Sequence, residues 1–377
     1  MKLVIVHPML SVRGGAERLV LKIAQQYDPI IYTAAYDPKR AFPEFREFDV
    51  REIEPNAIDK AAHSLKLKRA PGASVFTFAN YKVRDDYDVI NTHGVPSQVC
   101  RLRNPRMLWY CHAPNRIAYD LYETYMAGAG SAGAPRVWAA ARALRFMDRL
   151  AVPKIEKILV NSENVRTRVS RYLGRESEVC YCGMDYGEYE HGEFQRYFFY
   201  PSRIHPLKRQ DLVVRAFMKF RRKHPGWKLI IAGGYQPVTP QDYAHMDKLK
   251  SLAKQAGNVT IKLDISDAEL KRLYANCSAV LFAPMDEDFG RVPLEGYASG
   301  KPCIAAAEGG CFETVVHGKT GYLFKGEDEC AHYMAKLADD GNAEELGRAA
   351  EKWSMKTFTW EKFFDCFDRG LREVAKS

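Results

Sequence analysis

The stretch Ala283-Pro-Met-Asp-Glu-Asp-Phe-Gly-Arg-Val-Pro-Leu-Glu-Gly-Tyr-Ala-Ser-Gly-Lys-Pro302 decides how the rest of this chain is interpreted. It follows an apolar run at 279–282 that predicts a β-strand. Pro293 suits the first turn of a helix, because its missing N–H would be unpaired there in any case. We therefore expect a helix at 294–299, with Val292 as its N-cap and Gly300-Lys-Pro302 as its stop.

Two carboxylates stand in this stretch with seven residues between them, Glu287 on the loop and Glu295 in the first turn of the predicted helix. Val292 has no side-chain oxygen to cap the helix, so its free N–H groups are available to an anion. Carboxylates can hold neutral hydroxyls, and the pair therefore suits a ligand that is part sugar and part phosphate. A helix with an early Glu beside a solvated loop Glu explains the same spacing without a ligand.

Length and composition limit the class of protein. A chain of 377 residues suggests two or three domains, and 46% hydrophobic with 27% charged residues is typical of a soluble globular protein. No apolar run approaches the roughly 20 residues needed to cross a bilayer. The apolar start at 1–8 is too short for a signal peptide and predicts a buried first strand. We expect the protein in the cytoplasm.

Charge and cysteine usage exclude two further classes of site. The 9 cysteines form no C-x-x-C pair or matched Cys/His cluster, which predicts reduced structural thiols and no structural zinc. The net charge of +9 favours solubility or an anionic surface, and no nucleic-acid module is present in the sequence, so we expect no nucleic-acid partner.

The first half begins with a strand at 2–7, a glycine turn at Gly14-Gly15 and a helix at 16–26. This order lets the backbone approach a ligand at the carboxyl end of a parallel sheet. The turn is not G-x-G-x-x-G, which disfavours a dinucleotide. His112 ends a later strand just before Pro114, at the mouth of such a sheet, although a structural role also explains a single histidine. Further strands are predicted at 30–33, 89–92, 107–111 and 158–160.

Basic and aromatic residues interleave in two regions of the first half, 63–81 and 134–150. The second region sets Arg136, Arg142, Arg145 and Arg149 among apolar side chains. Ordinary helices with solvated arginines explain both regions. The alternative is a face that rests on anionic lipid or near a lipid-linked acceptor.

The second half repeats the α/β rhythm after a polar stretch at 186–196, with further strands predicted at 227–232, 259–263 and 302–305 and a capped helix beginning at Ser266. Arg203 and Lys208 flank a proline loop between a strand at 197–200 and a helix, and they could clamp two phosphates or be solvated charges. The sequence predicts an α/β fold of two facing Rossmann-like domains with a cleft between them. These are 1–190, onto which a C-terminal helix at 358–377 packs back, and 191–357.

These motifs together resemble the retaining glycosyltransferases of family 4, which have the GT-B fold. The resemblance covers nearly the whole chain and rests on Gly14-Gly-Ala-Glu17, Tyr110-Cys-His-Ala-Pro114, Ser202-Arg-Ile-His-Pro-Leu-Lys-Arg-Gln-Asp211, the E-x7-E stretch and Gly318-Lys-Thr-Gly-Tyr-Leu-Phe324. Within the family, Cys111-His-Ala-Pro-Asn-Arg-Ile-Ala-Tyr-Asp120, Met147-Asp-Arg149 and Glu287-Asp-Phe-Gly290 resemble mannosyltransferases of polysaccharide and lipid-glycan assembly, which usually take GDP-mannose.

The resemblance implies a role for each candidate site residue. Arg203 and Lys208 would hold the donor diphosphate, and Glu295 would hold the ribose hydroxyls. The transferred sugar would meet Glu287 and the backbone N–H groups of Phe289, Gly290 and Arg291. In the first domain, Gly14 and Gly15 would let the backbone approach the phosphates, and His112 would lie at the reacting sugar and the acceptor.

The resemblance also implies retention of configuration without a metal or other cofactor. Glu287 would then position the sugar and stabilise charge, not form a covalent intermediate. Asp286-Glu287-Asp288 spells the D-x-D of metal-dependent transferases, but the family's use of this loop argues against a metal. The acceptor would be a glycan or lipid-linked molecule at the inner face of the membrane.

Two departures and two alternatives accompany this interpretation. Arg291 stands where relatives commonly have an aliphatic residue, and Gly233-Gly-Tyr-Gln-Pro237 replaces the commoner Gly-Asp-Gly-Pro. A UDP-sugar donor, as in a glucosyl- or galactosyltransferase, would suit the same fold. A non-catalytic nucleotide-sugar-binding partner of another transferase is the second alternative, and the intact site residues argue against it.

Overall fold

The computed structural model describes residues 1–54 and 73–377, which form two compact units. The first unit is Met1–Cys182 with Glu361–Ser377, and the second is Gly183–Trp360. The sequence analysis set the division at residue 190 and began the returning helix at residue 358. Of the first basic and aromatic region, 63–72 lies outside the described residues.

Each unit is built on a parallel sheet. In chain order the strands are β1 (Leu3–His7), β2 (Ile30–Thr33), β3 (Val50–Glu52), β4 (Val89–His93), β5 (Met107–Cys111), β6 (Lys157–Val160), β7 (Glu178–Val179), β8 (Tyr197–Pro201), β9 (Lys228–Gly233), β10 (Val259–Leu263), β11 (Ala279–Phe282), β12 (Cys303–Ala306) and β13 (Gly321–Phe324). The first sheet has the order β3-β2-β1-β4-β5-β6-β7, and the second has the order β10-β9-β8-β11-β12-β13.

Helices connect the strands and cover the sheets. In chain order, within the described residues, they are α1 (Gly15–Tyr27), α2 (Ala73–Asn80), α3 (Tyr122–Ala151), α4 (Glu163–Leu173), α5 (Gln210–Arg221), α6 (Pro240–Ala256), α7 (Asp267–Asn276), α8 (Arg291–Ala298), α9 (Cys311–Thr314), α10 (Glu327–Asp340), α11 (Ala343–Thr357) and α12 (Trp360–Ala375). Short 3₁₀ turns occupy Pro43–Glu47, Ser97–Leu102, Val152–Lys154, Tyr186–Glu188 and Pro206–Lys208.

Most residues of the central strands are apolar because both faces of a parallel sheet are covered. β4 departs from this pattern, since its last three residues are Asn91, Thr92 and His93. All residues of β1, β4, β5 and β8 are buried. The strands predicted from apolar runs are confirmed. The sequence analysis missed β3 and β7, since these edge strands are short and carry charged residues, and it missed β13.

The last helix, α12, belongs to the first unit although it follows the second in sequence. The Phe363 ring lies 5.9 Å from that of Tyr110 on β5. A Cβ added to Gly370 would lie 2.7 Å from Leu108 Cδ1, so glycine allows the helix to lie close against the sheet. The predicted return of the C-terminal helix is confirmed.

Strand order fixes where side chains can meet. Each sheet reverses its order of addition once, between β1 and β4 in the first unit and between β8 and β11 in the second. Ligands of open α/β sheets bind beyond the carboxyl ends of the strands at such a switch point. The segments that follow β1, β8 and β11 carry the predicted site residues except His112, which follows β5, the neighbour of β4.

Candidate functional site

Helix α8 begins earlier than the sequence suggests. Its N-cap is Gly290, whose φ of 91° lies in the left-handed region, and not Val292 as expected. Glycine takes this conformation without strain, so the helix starts at Arg291 and Pro293 is its third residue. Glu295 therefore lies in the second turn and not in the first. The N-terminus still has no side-chain cap.

A buttress of hydrogen bonds holds the loop between β11 and α8. Arg209 donates to the carbonyl oxygens of Ala283 at 2.7 Å and Pro284 at 2.8 Å, and to Glu308 Oε1 at 2.8 Å. The other oxygen of Glu308 accepts from the Asp286 N–H at 3.2 Å. Arg209 and Glu308 could not be found from the sequence, because each has its partners on loops that follow other strands.

Two glycines after β12 support the same loop from another side. A Cβ on Gly309 would lie 2.5 Å from the Glu287 carbonyl oxygen, and one on Gly310 would lie 2.5 Å from Phe289 Cα. The Gly310 N–H donates to the Glu287 carbonyl at 2.8 Å. Only residues without a side chain fit here, so the Gly-Gly pair fixes the backbone that carries Glu287.

Glu287 and Lys208 form an ion pair with 2.7 Å between Nζ and Oε2. Each side chain is 21% exposed. The Lys208 ammonium also lies 5.6 Å from the centre of the Phe282 ring. The structure thus joins directly two residues that the sequence assigned to different parts of a ligand.

Arg203 stands on the same loop as Lys208 but is exposed. Its backbone is fixed because the buried Gln210 donates to the Arg203 carbonyl at 2.7 Å and to Ser202 Oγ at 2.8 Å. Its guanidinium has no hydrogen bond or ion pair to any residue in the described part of the chain. Gly233, which begins the stretch Gly233-Gly-Tyr-Gln-Pro237, lies close to this loop. Glycine is required at this position because a Cβ on Gly233 would lie 2.0 Å from the Ser202 carbonyl oxygen.

Glu295 is held by a tyrosine that sequence reasoning missed. Tyr274 donates its hydroxyl to Glu295 Oε2 at 2.6 Å. Burial, with the charge of Glu295, raises the pKa of Tyr274 well above its usual value, so the phenol remains a donor. Arg291 Nε lies 3.9 Å from Glu295 Oε1, and its Nη2 lies 3.6 Å from Met184 Sδ.

The glycine turn of the first unit is the start of α1. Gly14 is the N-cap and Gly15 the first helical residue. A Cβ on Gly14 would lie 2.4 Å from Glu17 Oε2, so glycine leaves room for this buried carboxylate. Glu17 Oε1 in turn lies 3.8 Å from His7 Nε2.

His112 belongs to a histidine cluster, which we define as His7, His93 and His112. His93 Nδ1 lies 3.3 Å from His112 Nε2, and His93 Nε2 lies 2.6 Å from Asn91 Oδ1. Burial lowers the pKa of all three, to about 3 for His7, well below the usual value for His93 and to about 4 for His112. The three imidazoles are therefore neutral at pH 7.

Sequence reasoning found His112 but missed its two neighbours. A signal was present, because His7 and His93 are the last residues of β1 and β4, and His112 directly follows β5. These three strands are adjacent in the sheet in that order. Their carboxyl ends therefore present the three rings at one edge.

The second basic and aromatic region lies on α3 and divides by exposure. Trp138, Phe146 and Leu150 are exposed by 50%, 59% and 42%, with Arg136, Arg142 and Arg149 exposed among them. Arg142 lies over the Trp138 ring at 5.1 Å. Arg145 is different, since it donates to the Ala118 carbonyl at 2.6 Å and packs on Tyr122.

The predicted residues thus occupy the carboxyl edges of both sheets. The first unit holds Gly14, Gly15 and His112, and the second holds Arg203, Lys208, Glu287, Phe289, Gly290, Arg291 and Glu295. Within 1–54 and 73–377, no three Asp, Glu, His or Cys residues are grouped so that they could bind a metal. None of the described helices has the length and apolar composition needed to cross a membrane.

The chain is similar in sequence to known glycosyltransferases. Residues 187–353 match the family model described as glycosyl transferases group 1. The chain is 26% identical to alpha-1,3/1,6-mannosyltransferase ALG2 of Dictyostelium discoideum, over 95% of this chain and 96% of that protein. It is 29% identical to the ALG2 enzyme of Mus musculus, over 93% and 92%.

A solved structure shares the fold over the full length. The structure of HepE of Anabaena in complex with UDP and glucose matches with a TM-score of 0.75 and 18% identity, over 99% of this chain and 100% of that one. At this identity the likeness shows the fold alone, which is GT-B, with two Rossmann-like units as the sequence analysis predicted.

Proposed function

Because residues 187–353 match the model of glycosyl transferases group 1 and the chain is similar to mannosyltransferases over nearly its full length, we propose that it moves mannose from GDP-mannose onto a glycan or lipid-linked acceptor, with retention and without a metal. The mannosyl proposal is supported by the activity of two relatives that match this chain over nearly their whole length, both of them alpha-1,3/1,6-mannosyltransferases. It is also supported by the motifs around His112 and Glu287. The nucleotide sugar is a substrate, and no resident cofactor is proposed.

The Lys208–Glu287 ion pair at 2.7 Å is the observation that carries the proposal. Lys208 stands beside the exposed Arg203, and two cations on one loop suit a diphosphate. In this ion pair the carboxylate neutralises the ammonium. An incoming diphosphate would compete for Lys208 and leave Glu287 to accept hydrogen bonds from the sugar hydroxyls.

Transfer needs charge stabilised in two places. Negative charge grows on the leaving diphosphate, and positive charge grows at the anomeric carbon. Lys208, Arg203 and the uncapped start of α8 would stabilise the first charge. Glu287 would stabilise the second while positioning the sugar. In retention without a covalent intermediate, the acceptor attacks from the side that the diphosphate leaves.

Glu295 and the backbone of 289–291 complete the proposed donor site. The Tyr274 hydroxyl holds Glu295 in place, which suits a carboxylate that must accept two ribose hydroxyls in a fixed geometry. In the first unit we assign to His112 a contact with the reacting sugar and the acceptor. We assign to Gly14-Gly15 the role of letting the backbone lie close to the donor phosphates.

Calorimetry with GDP, UDP, GDP-mannose and UDP-glucose tests the donor site. We expect GDP to bind the wild type and to lose about 10- to 100-fold in affinity in Arg203→Ala/Lys208→Ala, as for lost charged hydrogen bonds. The matched control is Arg222→Ala/Lys223→Ala, a double change of exposed cations after α5. A preference for UDP would keep the enzyme class and overturn the donor. Equal loss in the control would overturn the site.

Product analysis tests the stereochemistry and the role of metal. NMR of the product formed from GDP-α-mannose should show an α-linkage, and the rate should be unchanged by a chelator. A β-linkage would overturn retention, and a chelator-sensitive rate restored by a divalent ion would overturn metal independence.

The exposed side of α3 is our proposed contact with an anionic lipid surface. Three large apolar side chains stand there with three arginines, and such a face can enter the lipid headgroup region while cations meet anionic headgroups. The wild type should float with phosphatidylserine vesicles, and the double variant Trp138→Ser/Phe146→Ser should no longer float with them. The control is Phe312→Ser, which removes an equally exposed ring, 58%, from the second unit. Equal flotation of all variants would overturn the contact.

A further inference from the structure

The tautomer of His112 can be worked out from the hydrogen bonds of its neighbours. Asn91 Nδ2 lies 3.1 Å from the Leu108 carbonyl oxygen, which can only accept. The amide nitrogen of Asn91 must therefore face Leu108, and its oxygen must face His93 at 2.6 Å. That oxygen accepts only, so His93 carries a hydrogen on Nε2.

The position of the proton on His93 in turn fixes the position of the proton on His112. A neutral imidazole carries one proton, so His93 Nδ1 is an acceptor when Nε2 is a donor. His112 Nε2 faces that acceptor at 3.3 Å and must supply the hydrogen. The single proton of neutral His112 is then on Nε2, and its Nδ1 holds a lone pair. Within 1–54 and 73–377, Nδ1 has no hydrogen-bond partner.

We propose that Asn91 and His93 are positioning residues that hold His112 with its proton on Nε2, so that Nδ1 accepts a hydrogen bond from a hydroxyl group of the sugar or the acceptor. A hydroxyl can donate to this nitrogen, whereas an ionised phosphate oxygen cannot. The inference deepens the proposed function and rests on it for the identity of the hydroxyl-bearing ligand.

We call the hydrogen-bonded residues Asn91, His93 and His112 the Asn91–His93–His112 relay. The surrounding residues keep this relay neutral and rigid. His93 stacks on Tyr110 with 5.4 Å between ring centres, and Tyr110 donates its hydroxyl to the Cys180 carbonyl at 2.6 Å. Burial is the main cause that lowers the pKa of His93 and His112, and His7 on the neighbouring strand adds to the effect on His93. The Glu17 carboxylate lies against His7, with 3.8 Å between Glu17 Oε1 and His7 Nε2. Among the described residues, none of these groups supplies a competing acceptor to His112 Nε2.

Nitrogen NMR of the full chain labelled with ¹⁵N-histidine tests the tautomer directly at pH 7.5. Protonated and bare ring nitrogens resonate far apart, and comparison with His112→Gln identifies the His112 signals among the 10 histidines. We expect the proton on Nε2. A proton on Nδ1, or an equal mixture of the two tautomers, overturns the proposal without any need for an activity assay.

A pair of His93 variants separates positioning from packing. His93→Phe keeps the ring and its stacking on Tyr110 but removes the acceptor. His93→Asn loses the ring but keeps an amide oxygen close to the place of Nδ1. Positioning predicts that Phe mixes the His112 tautomers and lowers kcat about tenfold, with KM for the donor little changed, while Asn retains more of both. A purely structural role predicts the reverse order, with Phe the better variant, and that result overturns the proposal.

Failure of this inference can be told apart from failure of the proposed function. If the wild type transfers mannose but both His93 variants keep the wild-type kcat, the positioning role is overturned and the glycosyltransferase proposal remains. If the wild type transfers no sugar from any donor tested, the proposed function is overturned, and the NMR result still decides the tautomer.

Discussion

The carboxyl edges of the two sheets occupy the same place in the same topology but are chemically opposite. In the first unit the edge after β1, β4 and β5 presents the buried His7 and His93 and the partly buried His112, which are neutral at pH 7 because removal from water lowers the pKa of each imidazole. In the second unit the edge after β8 and β11 presents charged pairs, such as Lys208–Glu287, in which each side chain is about one fifth exposed.

This difference shows how one architecture can hold two kinds of polar site. A buried polar group is tolerated when it is neutral and hydrogen-bonded, as in the Asn91–His93–His112 relay. A charge is tolerated when it is paired and keeps some contact with water. The first arrangement suits recognition of hydroxyl groups, and the second suits an ionic ligand such as a diphosphate.

Acid should destabilise the first unit, and this has the largest effect that we expect. A histidine whose folded pKa is depressed favours the neutral folded state, so stability is complete above the unfolded value of 6.5 and is lost as the pH falls toward about 4 for His112 and about 3 for His7. Each fully buried histidine contributes up to ~1.4 kcal/mol per pH unit. Asp148 opposes this trend, because burial raises its pKa.

Hydrogen exchange of the peptide at 107–111 in urea, between pH 7.5 and 5, measures this effect on the first unit alone. In His112→Gln the slope of stability against pH should decrease by up to ~1.4 kcal/mol per pH unit. A stability that stays flat between pH 7.5 and 5 would show that the edge is not a neutral buried cluster.

Removing the charge of Glu287 should greatly reduce the transfer activity that we assign to the carboxyl edge of the second sheet. Glu287→Gln should reduce kcat about 10²- to 10³-fold, as when one preorganised electrostatic group is lost, with the fold retained. Initial rates with saturating donor measure this. Glu345→Gln, an exposed carboxylate on α11, should keep the wild-type rate. A Glu287→Gln variant with the wild-type rate would remove this residue from the catalytic site.

The loop that carries Glu287 depends on the Arg209 buttress. Arg209→Met should lower the free energy of unfolding of the second unit by ~1–3 kcal/mol, because the Ala283 and Pro284 carbonyls and Glu308 lose a charged donor. Urea unfolding followed by exchange of the peptide at 279–290 measures the change. Arg348→Met, which removes a guanidinium that is 77% exposed, should have little effect. Equal stability of the two variants would contradict the buttress.

The smallest expected effect is a gain in GDP affinity in Glu287→Gln, the variant that loses transfer activity. Glu287→Gln frees Lys208 from its carboxylate, so GDP should bind about three- to tenfold more tightly, equivalent to ~0.7–1.4 kcal/mol. Calorimetry measures the affinity. In a Lys208→Met background the same change should give no gain, which is the double-mutant test of the pair. Weaker GDP binding in Glu287→Gln would mean that the two residues do not compete.

Local patterns in the sequence predicted the elements of this fold well. The apolar runs of β1, β5 and β11 predicted strands because a strand covered on both faces consists mainly of apolar residues. Ser266 predicted the start of α7, and its hydroxyl does accept from the Glu269 N–H. The predicted start of α8 was wrong because the helix is capped by Gly290, and its φ of 91° cannot be inferred from the neighbouring side chains.

The sequence by itself determined the α/β class, the two Rossmann-like units and the returning C-terminal helix, and it supplied the residue types that we propose to bind a nucleotide sugar. It also placed Lys208 and Glu287 on loops after strands. Only the tertiary structure decided that these two residues pair, that Arg209 and Glu308 support their loop, and that His7 and His93 stand beside His112. The physical reason is that these contacts join residues from different strands, and the order of strands in a sheet sets which loops meet.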